Sequence, residues 1–421
     1  MSLNQTPLSD FPFDAYQVGG AVRDGLLGLP IKDRDWVVVG ATESALIDAG
    51  FRSIGADFPV FLHPETKEEY ALARTEAKTG PGYHGFAVRF DPSVTLEEDL
   101  SRRDLTVNAM ALDSTGDIID PFGGQRDLKK GLLRHVSDAF KEDPLRVLRV
   151  ARFHARFAQL GFSVAKETIQ LMAQLVDSGE LDHLTQERVW LETRKALETD
   201  TPSYYFKTLD QCGALAVIFP ELAALKGKHQ PEKYHPEGDA WIHTLLVIDQ
   251  AAHISDDIPA RFAALCHDLG KGQTPEHTLP HHRGHDVVGV PIAEALCDRL
   301  KVSNIFRSIA LSTVRYHMLS HHTPKLKAKT IIKILKGINA FRNETAFERF
   351  LIACQADMQG RGEASPDTCP EIEILRQCRQ ACLEISVQTL QQQGLRGEKL
   401  GQAIHKARIR AISAIIKRSN Q

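Results

Sequence analysis

Two aspartates at the start of one apolar run constrain this chain more than any other feature. Residues 31–40 read IKDRDWVVVG, and Asp35-Trp36-Val37-Val38-Val39 has the aromatic and β-branched content of a buried strand. Residues two apart on extended chain share a face, so Asp33 and Asp35 would point the same way. Paired carboxylates make a poor core but a good seat for Mg²⁺, a hard cation that keeps positions for water and phosphates. Upstream stands Gly19-Gly20-Ala21-Val22-Arg23-Asp24, a glycine turn opening a helix. Gly20 lets backbone approach a phosphate, and Arg23 offers a fork of donors to its oxygens. Asp-x-Asp alone fits a hairpin with two surface aspartates better. With the glycine turn and arginine in front, the set points to metal-dependent nucleotidyl transfer.

At 421 residues the chain is too long for one core, and several modules are expected. A net charge of −3 means that any nucleic-acid binding must come from local patches. The seven cysteines have no CxxC spacing, which predicts a reducing, cytoplasmic setting and no zinc ribbon. The first residues, MSLNQTPLSDFPF, lack the basic and apolar segments of a signal peptide. No run of about eighteen apolar residues predicts a membrane span.

The expected organisation is multidomain. After an extension over 1–14, an α/β head is predicted over 15–137, with strands at 35–39, 60–63, 69–73 and 110–112. Residues 78–83, KTGPGY, read as a loop. An all-α neck over 138–230, a helical body over 231–365 and a basic helical tail over 366–421 follow. Glu69, opening a strand, is the candidate third carboxylate of the head.

Asp143-Pro144 is a helix-start signature, with Asp143 as cap and Pro144 at the first helical position. Arg146, Arg149, Arg152 and Arg156 recur at helical spacing on one face. A carboxylate accepts and a guanidinium donates. Cytosine and adenine each present an amino donor beside a ring acceptor, whereas guanine and uracil present the reverse. Asp143 beside Arg146 therefore suits C and A, with protein acting as template. The competing reading is a capped helix with a Glu142–Arg146 pair and a solvated arginine face. Arg103 and Asp104, in RRDLTVNA, are expected at the ribose and phosphates, against a plain helix cap by Asp104.

His243, the His267-Asp268 of CHDLGKG, and Asp357 form a spaced set that resembles the HD phosphohydrolases. Imidazole with carboxylate suits Ni²⁺, Mn²⁺ or Co²⁺, which generate a nucleophilic hydroxide near neutral pH. His285 and His317 are expected at a second metal or at phosphate. His281, His282, His321 and His322 read as exposed loop histidines without a role. Lys325, Lys327, Lys329, Lys333 and Lys336, and the basic residues from Arg396 to Arg418, suit phosphate contacts or simply solvated faces.

GGAVRD, KDRDWVVVG, RRDLTVNA, DPFGG, EDPLR and RVARF together resemble the class II tRNA nucleotidyltransferases, which include CCA-adding enzymes and bacterial poly(A) polymerases. The resemblance implies a polymerase-β-like head using Mg²⁺ at Asp33 and Asp35. It implies CTP and ATP as substrates, read by Asp143 and Arg146, with Arg149 and Arg152 on the nucleotide. The partner implied is tRNA, bound along its acceptor arm, by a monomer or homodimer. With the HD set, the resemblance implies activity on 2′,3′-cyclic nucleotides, 2′-nucleotides and other phosphate esters. A poly(A) polymerase, an A-only or CC-only enzyme, and an HD hydrolase with an inactive head are the alternatives.

Overall fold

The computed structural model describes residues 13–54, 60–78, 86–362, 365–366 and 368–420. The expected N-terminal extension and most of the KTGPGY loop lie outside the described residues. The chain divides into two units, one running to Glu192 and adding Lys207–Val217, the other Thr193–Phe206 with Ile218–Gln421.

The first unit is built on strands β1 (Asp14–Val18), β2 (Asp35–Val39), β3 (Arg52–Ser53), β4 (Val60–Leu62), β5 (Glu69–Leu72), β6 (Arg74–Lys78), β7 (Phe86–Phe90), β8 (Ala111–Leu112) and β9 (Ile118–Ile119). Among the described residues, seven form one mixed sheet in the order β3-β4-β5-β2-β1-β8-β9, and β6 pairs with β7. β2 lies inside the sheet, paired on both edges, and both its faces are covered. Trp36 and Val38 pack with Leu46, Phe51, Phe61 and Tyr70, while Val37 packs with Val18, Val94 and Leu100 on the other side. This double burial explains the unbroken apolar run. Pairing of β2 with β5 is parallel and sets Asp35 opposite Glu69. The sequence reading missed β1, whose DAYQV carries Gln17 as a buried residue and so hides its strand pattern.

Helices follow, among them Leu145–Phe157, Lys166–Asp177 and Gln186–Leu197. Each carries its apolar side chains at helical spacing. One departure from an all-α neck is Ser163–Val164, which pairs in parallel with Leu132–Leu133.

The second unit is helical. Helices Ala240–Ile254, Ile258–Cys266 and Glu344–Gln359 meet through small residues, including Ala251, Ala263, Ala264, Ala353 and Ala356. Small side chains let helix axes approach closely, which brings polar residues on different helices within bonding reach. A larger core, with Ile331, Ile334, Phe347, Phe350, Leu375 and Ile412, joins the helices that follow. All seven cysteines are free thiols. No helix among the described residues is long and apolar enough to cross a membrane.

Candidate active sites

In the first unit, β1 runs into Gly19, whose φ of 70° is left-handed. A Cβ there would also meet Arg103 Nη1 at 2.9 Å, a clash the long arginine side chain can relieve, so it is the backbone angle that calls for glycine. The Gly20–Leu26 helix follows and carries Arg23. Arg23 is buried. Its Nε donates to Asp24 Oδ1 at 2.8 Å, its Nη1 reaches Asn108 Oδ1, and its plane lies over Phe153 and Phe157.

Asp35 opens β2 beside Glu69 of β5. Burial by the surrounding walls raises the Asp35 pKa, Arg103 opposes that shift, and Asp33 adds to it. Asp33 itself lies ahead of the strand on exposed chain. No cation of the chain pairs with Asp33, Asp35 or Glu69 among the described residues.

Arg102 and Arg103 are both anchored on the buried Asp99, at 3.3 and 3.1 Å. Asp104 does not act as a plain helix cap. It accepts from Arg149 Nε at 2.8 Å and Asn108 Nδ2 at 2.8 Å. Burial alone would raise its pKa, but Arg149 and these bonds hold it well below the usual carboxylate range. Arg149 is raised in turn, chiefly by Asp104.

The helix expected to begin at Pro144 starts one residue later, with Pro144 as its cap residue. Asp143 still caps it through Oδ1, which accepts from Leu145 N at 3.0 Å. Its other oxygen pairs with Arg188 Nη2 at 3.0 Å. The expected alternative of a solvated arginine face is incorrect. Arg146 is buried and donates to Ala139 O, Arg149 pairs with Asp104, Arg152 with Glu192 and Arg156 with Asp24. Each guanidinium of this face meets an acceptor from another segment.

A cavity of 610 Å³ gathers Gly20, Arg23, Asp35, Glu69, Arg103, Asp104, Asp143, Arg146, Arg149, Arg152 and Arg188. Its size is that of a ligand cleft, roughly 300–1,000 Å³. Asp33 is not among its lining residues. Sequence reasoning missed Arg188 and Glu192, which share the helical ERVWLE stretch four residues apart.

In the second unit, Asp239 caps the Ala240–Ile254 helix by accepting from Trp241 N at 2.9 Å, and this helix presents His243. His267 and Asp268 stand at the end of Ile258–Cys266. Gly270 lets the following turn touch the His285–Arg299 helix, for a Cβ there would lie 2.1 Å from His285 O. His317 comes from Asn304–Ser320 and Asp357 from Glu344–Gln359. His243, His267, Asp268 and Asp357 are all nearly inaccessible, at 0, 0, 1 and 3% exposure.

Their separations test whether a cation fits. His267 Nε2 stands 3.0 Å from Asp268 Oδ2, and His243 Nε2 stands 3.2 Å from Asp357 Oδ1 and 3.9 Å from Asp268 Oδ2. His285 and His317 lie 3.2 and 3.4 Å from Asp268 Oδ1. Donors on one metal at about 2.1 Å stand about 3 Å or more apart, so these spacings suit shared ligation. His267 Nε2 and both Asp268 oxygens also receive no aligned hydrogen bond. Buried polar atoms left in this way want a partner. Asp268 is held well below the usual carboxylate range. Burial works against this, and His267 and Lys271 prevail. Lys271 Nζ touches Asp268 Oδ2 at 2.5 Å and Gln230 Oε1 at 2.5 Å.

Two loop histidines expected to be idle are held. His282 bonds to Thr274 Oγ1 at 2.7 Å and His229 O at 2.9 Å. His321 bonds to Asp357 Oδ2 at 2.7 Å. His281 and His322 are exposed, as expected. Also missed was Glu237, which accepts from His235 at 2.9 Å and lies 2.7 Å from His243 Nδ1, off the line of a hydrogen bond. The HPEGD stretch holding it reads as a turn, which gave no sign of proximity to His243. A cavity of 760 Å³ opens over Asp268, Lys271, His285, His317, His321 and Asp357.

A mixed-sheet head with an arginine-rich cleft, and a helical unit bearing a buried His/Asp cluster, define a nucleotidyltransferase head and an HD domain in one chain. The chain matches the poly A polymerase head domain over residues 15–134, the "probable RNA and SrmB-binding site of polymerase A" over 161–226, and the HD domain over 240–348. It is 54% identical over 400 residues to the multifunctional CCA protein of Thioalkalivibrio sulfidiphilus, covering 95% of this chain and 98% of that one. Against the protein of the same name from Vibrio cholerae it is 53% identical over 95% and 99%. The chain belongs to the multifunctional CCA protein family. Its fold is also that of a CCA-adding enzyme in an apo form, with a TM-score of 0.66 at 20% identity over 98% of this chain and 92% of that one. The Bacillus stearothermophilus CCA-adding enzyme in complex with CTP gives 0.60 at 25% identity over 98% and 95%.

Proposed function

We propose that this protein adds C, C and A to the 3′ end of tRNA from CTP and ATP, without a nucleic-acid template, in the cytoplasm. We propose further that its HD unit hydrolyses phosphate esters, 2′,3′-cyclic nucleotides and 2′-nucleotides among them. The observation that carries the first reading is a single cavity lined by Asp35, Glu69, Arg103, Asp143 and Arg146. Relatives named multifunctional CCA proteins support it, as do similar folds solved with CTP, with ATP and with tRNA. In this reading residues 15–137 are the head, 138–230 the neck, 231–365 the HD domain and 366–421 the tail.

Asp35 and Asp33, with Glu69 opposite, are the residues that would hold Mg²⁺, for no cation among the described residues forms an ion pair with them. Mg²⁺ there would activate the terminal 3′-hydroxyl and offset charge on the leaving pyrophosphate. Arg103, Arg149 and Arg152 face the triphosphate. Asp104 acts mainly by fixing the Arg149 guanidinium. Asp143 accepts the amino proton of C or A while Arg146 donates to the ring nitrogen, and Arg188 holds the Asp143 carboxylate. G and U would leave these groups unpaired, and that penalty rejects them.

In the HD unit, His243, His267, Asp268 and Asp357 would hold a divalent transition metal such as Ni²⁺, with His285 and His317 beside Asp268 for a second ion or for phosphate. The bound metal would supply hydroxide near neutral pH. Exposed lysines 327, 329, 333 and 336, with Lys399, Lys406 and Arg410 of the tail, offer tRNA phosphate contacts that read shape rather than sequence.

Labelled CTP and ATP, offered singly and together to tRNA trimmed of its last three nucleotides, test the reading. C alone should add twice and stop, and A should follow only on a CC end. Unlimited A addition would identify a poly(A) polymerase. A addition without C addition, or the reverse, would identify a partial enzyme.

A further inference from the structure

We propose that His321, with Arg361 behind it, is a positioning residue that keeps one Asp357 oxygen turned toward the HD cluster. This rests on the metal reading of that cluster given above. The two oxygens of Asp357 have separate neighbours. Oδ1 faces His243 Nε2 at 3.2 Å and His267 Nε2 at 3.8 Å. Oδ2 is bonded to His321 Nε2 at 2.7 Å.

The tautomer of His321 follows from its other side. Nδ1 faces Arg361 Nη2 at 3.5 Å. That contact is long, but a guanidinium has only protons to present. Nδ1 therefore carries the lone pair, and Nε2 carries the proton that it donates to Asp357. A protonated Nε2 is no ligand. The 2.7 Å spacing is also shorter than two donors on one metal adopt, in contrast to the 3.2–3.4 Å spacings of His285 and His317 from Asp268.

The placement has a structural logic. His321 follows the helix Asn304–Ser320, which carries His317. Arg361 lies just beyond Glu344–Gln359, which carries Asp357. The Arg361–His321–Asp357 chain thus ties the ends of two ligand-bearing helices together. With Oδ2 occupied, Asp357 cannot turn to offer both oxygens inward or swing its carboxylate away. Hydrogen-bonded partners of this kind set ligand orientation, and losing one typically weakens metal binding tenfold to a hundredfold.

Calorimetric titration of Ni²⁺ and of Mn²⁺ into the metal-stripped full chain tests the proposal. His321→Ala should weaken binding at least tenfold and leave nucleotide addition by the head unchanged. His321→Gln, whose amide can donate from nearly the same place, should recover most of the loss. Long-range ¹⁵N NMR of the unaltered protein should find the His321 proton on Nε2, and Arg361→Met should let the other tautomer appear. Affinity within twofold of the parent in folded His321→Ala, or a proton on Nδ1 in the parent, would overturn the proposal. If the parent takes up neither metal, the metal reading fails and the proposal falls with it.

Discussion

The head cleft and the HD cluster both collect carboxylates, yet they treat them in opposite ways. In the head, Asp35 and Glu69 remain open to solvent, and the buried acids Asp104, Glu192 and Asp24 are each already matched by an arginine. In the HD unit the acids themselves are buried, crowded by histidines and a lysine, without aligned hydrogen bonds on Asp268. The head thus presents a cleft whose buried ion pairs are closed among its own residues. The HD cluster instead gathers buried imidazole and carboxylate groups, a donor set that suits a cation. Removing an acid should therefore cost the head its chemistry but not its fold, and should cost the HD unit both.

The largest effect expected is on nucleotide addition. Asp35→Ala should lower it by on the order of 10³-fold, comparable with losing a main source of transition-state charge stabilisation. Thermal stability and metal-dependent phosphatase activity should stay as in the parent. A folded variant that loses both activities would erase the distinction between the two sites.

Asp268→Asn should abolish phosphatase activity and leave addition intact. In the metal-free protein it should also cost roughly 3–5 kcal/mol, because Lys271 and the facing histidines lose their buried counter-charge. Denaturant unfolding measures this. A loss under 1 kcal/mol would mean that the buried cluster is no more demanding than the exposed one.

Asp143→Ala combined with Arg146→Ala sharpens the comparison inside the head. Total addition falls, but incorporation of U and G relative to C and A should rise about tenfold or more, as a penalty of a few kcal/mol on the wrong edge is lifted. Single-turnover addition of each nucleotide to tRNA decides it. An unchanged ratio would leave Asp143 as a cap for Leu145 and a partner for Arg188, with bases chosen elsewhere.

How far the sequence carried these sites depended on distance along the chain. Gly19-Gly20 form one turn and Asp35 opens one strand, so local pattern was enough to single out these cleft-lining residues, whereas Asp33 lies ahead of the strand and outside the lining. The cap role of Asp143 was legible for the same reason, to within one residue of the helix start. Partners were not legible. Asp104 and Arg149 lie 45 residues apart, as do Asp143 and Arg188, and only the packing of distant segments on one another pairs them. Glu69 was readable as a strand start, but its place opposite Asp35 depends on a parallel register that no local signal encodes. The idle reading of His321 failed because a loop histidine looks the same whether it faces solvent or a carboxylate on another helix.

Histidines give the smallest test. His243 lies among acids, and although burial pushes its pKa down, Asp357 and Glu237 raise it overall. His154, on the neck helix, is buried beside Thr208 Oγ1 at 2.7 Å, and burial pushes its pKa down to about 4. Its ordinary value is near 6.5, so between those limits the unfolded chain holds a proton that the folded chain does not. Stability from this residue is full above about pH 6.5 and falls as pH drops toward 4. From pH 7 to pH 6 the loss should be about 0.7 kcal/mol, since a tenfold change in proton affinity is worth about 1.4 kcal/mol. His154→Gln, which cannot titrate, should flatten the pH dependence of unfolding by that amount while addition at pH 7 persists. An equal slope in parent and variant would show that His154 takes up its proton inside the fold, and that this buried histidine has a hidden acceptor like those of the HD cluster.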